Sequence, residues 1–184
     1  TSASIHLNEI DFSLLNHIHI SKKLKIKNSI SIIVPRHIER VKEIISRADK
    51  LKLNYHLHSK KSKVPLNTEI YIVDTYGDLK KFYQISSLVF IGGSLINHGG
   101  QNPLEAVKLD CKVIHGPDVG NFNDIFKTLK KIQLSSKFIT YQQGFSLVEK
   151  SLRTSKKGNN SRKLIKYGNK VLKDVHKKVL KKII

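Results

Sequence analysis

The stretch that most constrains the fold runs from residue 87 to 109, SLVFIGGSLINHGGQNPLEAVKL. Leu88, Val89, Phe90 and Ile91 form an uninterrupted apolar run, as expected of a parallel strand covered on both faces. Gly92 and Gly93 end it, and Gly99 and Gly100 remove two further β-carbons, which would let a ligand approach the backbone. A helix is expected from Asn102. Its side chain can cap, Pro103 occupies the first helical position, and Glu105 completes an Asn-x-x-Glu capping box. A helix end of this kind carries unpaired N–H groups and partial positive charge, which attract anionic ligand groups. The same residues also suit a plain helix cap with no ligand.

Buried strands and helical patterns alternate on either side of this stretch. Residues 1 to 7 read as the end of a strand, with Ser4 and His6 at its tip, followed by a helix from about Asp11 to Leu24. A basic turn leads to a strand over Ile30 to Val34, stopped by Pro35. A helix from Ile38 to Leu51 then presents Val41, Ile44, Ile45 and Ala48 on one face. Further strands are expected at Tyr55–His58, Ile70–Val73 and Val113–His115, and helices at Gly77–Ile85 and Asn121–Lys131. Residues 59 to 69, lysine-rich and polar, read as an exposed loop. Alternation with short connections predicts an α/β domain, a Rossmann-like parallel sheet with helices on both faces. In such sheets ligands bind beyond the carboxyl ends of the strands. Ser4, His6, Pro35, Arg36, the Asp74–Asp78 segment, residues 92 to 105 and Gly116–Asn121 all follow expected strands, so they should meet on one rim. The domain is expected to occupy residues 1–160. A basic amphipathic helix over 161–184 is expected to pack on it or on a missing part of the protein, with Val171, Leu172, Val175, Val179 and Leu180 as its buried stripe.

Composition narrows the function classes. The chain carries a formal charge of +20, which favours an anionic partner, but the lysines are spread over nearly every element and aromatic residues make up only 7%. No zinc-ligand spacing or RNP-type aromatic pattern is present, so no specific nucleic-acid partner is expected, whereas an anionic membrane surface suits the basic helix. The single cysteine, Cys111, cannot form an internal disulfide and reads as a small core residue in a reducing, cytoplasmic setting. No run reaches the apolar length of a membrane span, and a chain without methionine reads as a piece of a longer protein.

Four segments carry a more specific likeness: ASIHLNE at 3–9, IIVPRHIERV at 32–41, VDTYGDLKKFY at 73–83 and GGSLINHGGQNPLEAV at 92–107, continued by HGPDVGNFNDI at 115–125. Together they resemble the C-terminal half of the bacterial 3-deoxy-D-manno-octulosonic acid (Kdo) transferases, GT-B glycosyltransferases that move Kdo from CMP-Kdo onto a lipid A precursor at the cytoplasmic side of the bacterial inner membrane. The likeness covers roughly residues 1–145. It implies that Pro35 and Arg36 lie at the nucleotide, with Arg36 a charge-assisted fork for the phosphate, and that Tyr76, Gly77 and Asp78 approach the donor phosphate. It further implies that Asn102, Pro103, Leu104 and Glu105 face the ribose, with Ser4, His6, Ser94, Gly99, Gly100 and Asn121 as further donor-site positions. The chain departs from the family pattern at Ile5, Asn8, Ile10 and Asp78. The family's catalytic glutamate and acceptor surface belong to its N-terminal half, so no catalytic residue is assigned here, and neither a metal nor another cofactor is implied. The alternatives left open are a GT-B transferase or epimerase using a UDP-sugar and a noncatalytic basic binding module.

Overall fold

In the computed structural model, which describes residues 1–26, 29–154 and 158–183, seven strands form one wholly parallel sheet. The strands are β1 (Ser2–Ile5), β2 (Ser31–Pro35), β3 (Tyr55–Leu57), β4 (Ile70–Ile72), β5 (Leu88–Ile91), β6 (Lys112–His115) and β7 (Ser135–Lys137), in the order β3-β4-β2-β1-β5-β6-β7. The helices are α1 (Ile10–Ile18, extended by a π-helical turn to Lys23), α2 (Val41–Lys50), α3 (Leu79–Ile85), α4 (Leu104–Lys108), α5 (Asn123–Lys131), α6 (Tyr141–Thr154) and α7 (Asn160–Ile183). The α/β, Rossmann-like class expected from the sequence is the class found. The basic turn expected after Leu24 falls partly on residues 27 and 28, outside the described residues.

Side chains alternate across the sheet as the pleat requires. Ile33, Phe90 and Ile114 face a core built with α1, α2 and α6. Val89, Ile91 and Val113 face a second core built with α4 and α5. At β1 the period breaks. Ala3 belongs to the second core and Ile5, two residues on, to the first; between them Ser4 adopts φ 54 and the pairing with β2 shifts register. This left-handed residue is a bulge at the carboxyl end of the central strand, which re-aims the chain into the loop that follows.

Two elements were not marked in the sequence. β7 is a three-residue polar edge strand, SSK, and α6 follows it. α6 completes the first core, where the Phe12 ring stacks on Phe138 at 4.8 Å and on Phe145 at 5.7 Å.

The stripe expected on the last helix is not buried against this domain, the first of the two packings expected for it. α7 is anchored at its start: Asn160 Nδ2 donates to the Asp110 carbonyl (2.7 Å), the Ser161 N–H donates to the Asp110 carboxylate (2.8 Å), and Leu164 packs on the second core. Beyond Tyr167 the helix leaves the domain. Val171, Leu172, Val175 and Val179 are exposed rather than buried, at 43%, 68%, 51% and 48%, and the side chain of Leu180 lies outside the described residues.

The strand order also locates the crevice. After β1 the chain places β2, β3 and β4 on one side of the sheet, β4 lying between β2 and the edge strand β3; from β5 it proceeds to the other side. α1 leaves β1 over one face while α4 leaves β5 over the other, so the loops following these neighbouring strands diverge. In open parallel sheets such a reversal point is where a ligand crevice forms.

Candidate functional site at the sheet reversal

The loop after β5 is held by three side chains from elsewhere. Glu9, fully buried, accepts N–H bonds on Oε2 from Gly93 (2.7 Å) and His6 (3.0 Å), and on Oε1 from Ser94 (3.0 Å) and Leu95 (2.9 Å). A concave row of successive backbone N–H groups is an anion nest, and here the anion is the protein's own carboxylate. Asp118 accepts the Gly99 N–H at 2.7 Å and the Gly120 N–H at 3.3 Å, and the amide contacts hold its carboxyl below the usual range. Asn121 donates from Nδ2 to the His98 carbonyl at 3.0 Å.

Several glycine-rich positions therefore serve the protein's own packing. A β-carbon on Gly92 would lie 2.2 Å from the Ser4 carbonyl oxygen. One on Gly99, at φ +81, would lie 2.5 Å from the Asn121 side chain. The open backbone expected at Gly99 is filled by Asn121. Ser94 is also buried, donating to the Ile91 carbonyl at 2.6 Å and accepting the Gly116 N–H at 2.9 Å.

Around the reversal three loops bring imidazoles together. The His6 ring lies 4.3 Å from that of His98 and 5.9 Å from that of His37. Pro35 is buried at the end of β2. The next residue, Arg36, donates its N–H to the Ile5 carbonyl at 2.9 Å and turns an exposed side chain to solvent. Arg40, Arg47 and Arg153 are each paired with a carboxylate, whereas among the described residues Arg36 has none.

Two other groups of expected residues sit further along the rim. Tyr76 is 69% exposed and Gly77 is exposed beside it. Asp78 is engaged by Lys81 Nζ (2.6 Å), the Thr75 hydroxyl (2.8 Å) and His58 Nε2 (3.4 Å); Lys81 first and Thr75 second lower its pKa to about 2. α4 begins one residue later than expected, at Leu104 rather than Pro103, and the Leu104 N–H donates to Asn102 Oδ1 at 3.0 Å. The capping box is half present: among the described residues no bond returns from the Glu105 carboxylate to the Asn102 N–H. Glu105 is exposed, lining a cleft of about 420 Å³ with Lys80, Asn102, Leu104, Lys108 and Leu109. Pro103 is buried beneath it. Arg36 is not among the walls of this cleft.

Glu9, His37, His98 and Asp118 lie within the segments that the sequence marks, but no role of their own is legible for them there. A signal for Glu9 was available: a Gly-Gly-Ser turn exposes N–H groups that a buried acid must satisfy. Among the described residues no group of three or more His, Cys, Asp or Glu is placed to hold a metal ion, and no helix is long and apolar enough to cross a membrane.

No family model matches the chain. Individual proteins do. The chain is 35% identical over 132 residues to the 3-deoxy-D-manno-octulosonic acid transferase of Haemophilus influenzae, covering 72% of this chain and 30% of that protein. It is 34% identical over 152 residues to the enzyme of that name from Rickettsia prowazekii, covering 81% and 32%. The chain thus spans about a third of the length of these curated relatives. Among solved structures, the C-terminal CMP-Kdo binding domain of WaaA from Acinetobacter baumannii superposes with a TM-score of 0.77 at 27% identity, over 93% of this chain and 86% of that one. Sequence and fold together place the chain in the 3-deoxy-D-manno-octulosonic acid transferase family, as a counterpart of its C-terminal domain.

Proposed function

We propose that this chain is the donor-binding domain of a Kdo transferase, holding CMP-Kdo at the carboxyl rim of its sheet. The observation that carries the reading is the likeness, across nearly the whole chain, to a domain described as binding CMP-Kdo. Arg36, exposed and without a carboxylate partner at the reversal, supports it as a fork for the donor phosphate. CMP is then the leaving group. Arg36 stabilises the charge that develops on its phosphate as the bond to Kdo breaks, which is electrostatic rather than covalent catalysis. Asn102 and Glu105, with the cleft beside α4, hold the ribose hydroxyls. The base that activates the acceptor, and the surface for a lipid A precursor, lie in the part of the relatives that this chain does not match. The basic helix α7 rests on an anionic membrane surface, which puts the reaction at the cytoplasmic side of the inner membrane.

Titration calorimetry of the 184-residue chain with CMP and with UDP tests the reading. CMP should bind, UDP at least about tenfold more weakly, and Arg36→Ala should cost CMP about tenfold, the worth of one charge-assisted contact. Preference for UDP would move the chain to another GT-B activity. Binding of oligonucleotides with steep salt dependence and indifference to CMP would make it a basic binding module.

A further inference from the structure

We propose that His6, His37 and His98, with Arg36, form an anion subsite at the sheet reversal that takes an acidic group of the donor, either its phosphate or the carboxylate of its octulosonic acid sugar. The inference rests on the donor-binding reading and assigns a task to two residues, His37 and His98, that the reading leaves idle.

Three observations carry it. The imidazoles come from three loops, after β1, β2 and β5, and meet only because these strands are neighbours. His6 Nε2 is shut off from solvent and, among the described residues, has no hydrogen-bond partner, an orphaned polar atom of the kind a ligand satisfies. The cluster also lacks a free counter-charge. Glu9 is the acid beside His6, and both its oxygens are taken by four N–H groups; Asp118, whose charge interacts with His98, accepts the Gly99 and Gly120 N–H groups.

The electrostatics follow from this arrangement. Burial first, then repulsion from His98, and less strongly from His37 and Arg36, lower the pKa of His6, while Glu9 partly opposes them. His6 is therefore held neutral at the pH where a free histidine begins to charge. An anion seated among the rings reverses the balance. It draws a proton onto the cluster, and the resulting N⁺–H···O⁻ bonds are of the short, strong kind.

Calorimetry of the 184-residue chain near pH 7 in two buffers of different ionisation heat gives the protons taken up per ligand bound. Cytidine, CMP and CMP-Kdo are compared for the wild type and for His98→Gln, a substitution at an exposed ring that should leave the fold intact. Proton uptake should be larger in the wild type than in the variant, a difference from which the ligand's own titration cancels. The variant should bind the anionic ligand about tenfold more weakly. A loss already present with CMP identifies the phosphate as the occupant, and one appearing only with CMP-Kdo identifies the carboxylate; either supports the subsite. Equal affinity and equal proton uptake in both proteins would overturn it, as would an equal loss for uncharged cytidine, which marks a merely structural role. Failure of wild-type protein to bind CMP or CMP-Kdo would overturn the donor reading itself.

Discussion

Four backbone N–H groups converge on the Glu9 carboxylate, and this one side chain joins the loop after β1 to the loop after β5 across 84 positions of sequence. Glutamine has the same shape but replaces one acceptor oxygen by a donor, so it would set an NH₂ against N–H groups that are cut off from water. Glu9→Gln is expected to destabilise the chain by about 3 kcal/mol, lowering the melting temperature by roughly 6–12 °C for a domain of this size. A melting curve coincident with wild type would show that the loops are held by something else. At Gly99 the penalty has another origin: φ +81 disfavours any β-carbon and Asn121 fills the space one would occupy. Gly99→Ala should cost about 2 kcal/mol in urea unfolding. The loss should shrink in the double variant with Asn121→Ala, where only the backbone strain is left.

The helices α4 and α7 differ in how far local pattern decided them. Around α4 the cap is local, since Asn102 needs only its own neighbour two residues on, and it is present. For α7 the pattern correctly announced an amphipathic helix, with nine Lys or Arg and one acid, Asp174, between residues 160 and 183. Periodicity names an apolar face but not what covers it. On this domain nothing in the described residues covers Leu172 and Val175, which supports the proposed seat on anionic lipid. Leu172→Glu with Val175→Glu should therefore leave thermal stability within about 0.5 kcal/mol, as for exposed positions. The same pair should lower cosedimentation with anionic lipid vesicles by tenfold or more, since each side chain buried in the interface is worth roughly 1.5–3 kcal/mol. Unchanged cosedimentation, or a large fall in stability, would put that face against protein.

At the scale of the whole molecule, burial of histidines makes stability depend on pH. His6, His17 and His115 all titrate below the free value of 6.5, in each case chiefly through desolvation; Glu69 beside His17 and the Gly116 carbonyl beside His115 only partly offset it. In the unfolded chain the same residues return to 6.5. Below that pH the unfolded state binds more protons, so stability is intact above about pH 6.5 and falls as the pH drops below it. Urea midpoints measured across this window should decline, and the decline should be shallower for His17→Gln, whose side chain keeps a polar contact to Ser31 within reach. A flat profile would mean that the rings are solvated in the folded chain. Carboxylates add a separate, more acidic loss: Asp78, with a pKa near 2, gives up its contribution only as the pH falls below its unfolded value of 3.8.

Sequence alone determined the order of elements over residues 1–131, the parallel sheet and the rim on which the candidate residues gather. Those follow from short-range facts: apolar runs that must be covered on both faces, glycines and prolines that end them, and the rule that strand-helix alternation leaves every loop of one kind on one edge. The polar strand β7 and α6 behind it escaped, because three residues reading Ser-Ser-Lys become a strand only once Val113 to His115 offer them an edge to pair with. Tertiary structure decided the rest. Glu9 rather than a ligand occupies the amides of Gly93 to Leu95, Asn121 rather than a ligand fills the space beside Gly99, and the rings of three histidines far apart in the chain come together at the sheet reversal. An N–H donor or a vacant β-carbon position is written in one residue, but which atom answers it depends on which strands are neighbours, and that is settled only when the chain closes on itself.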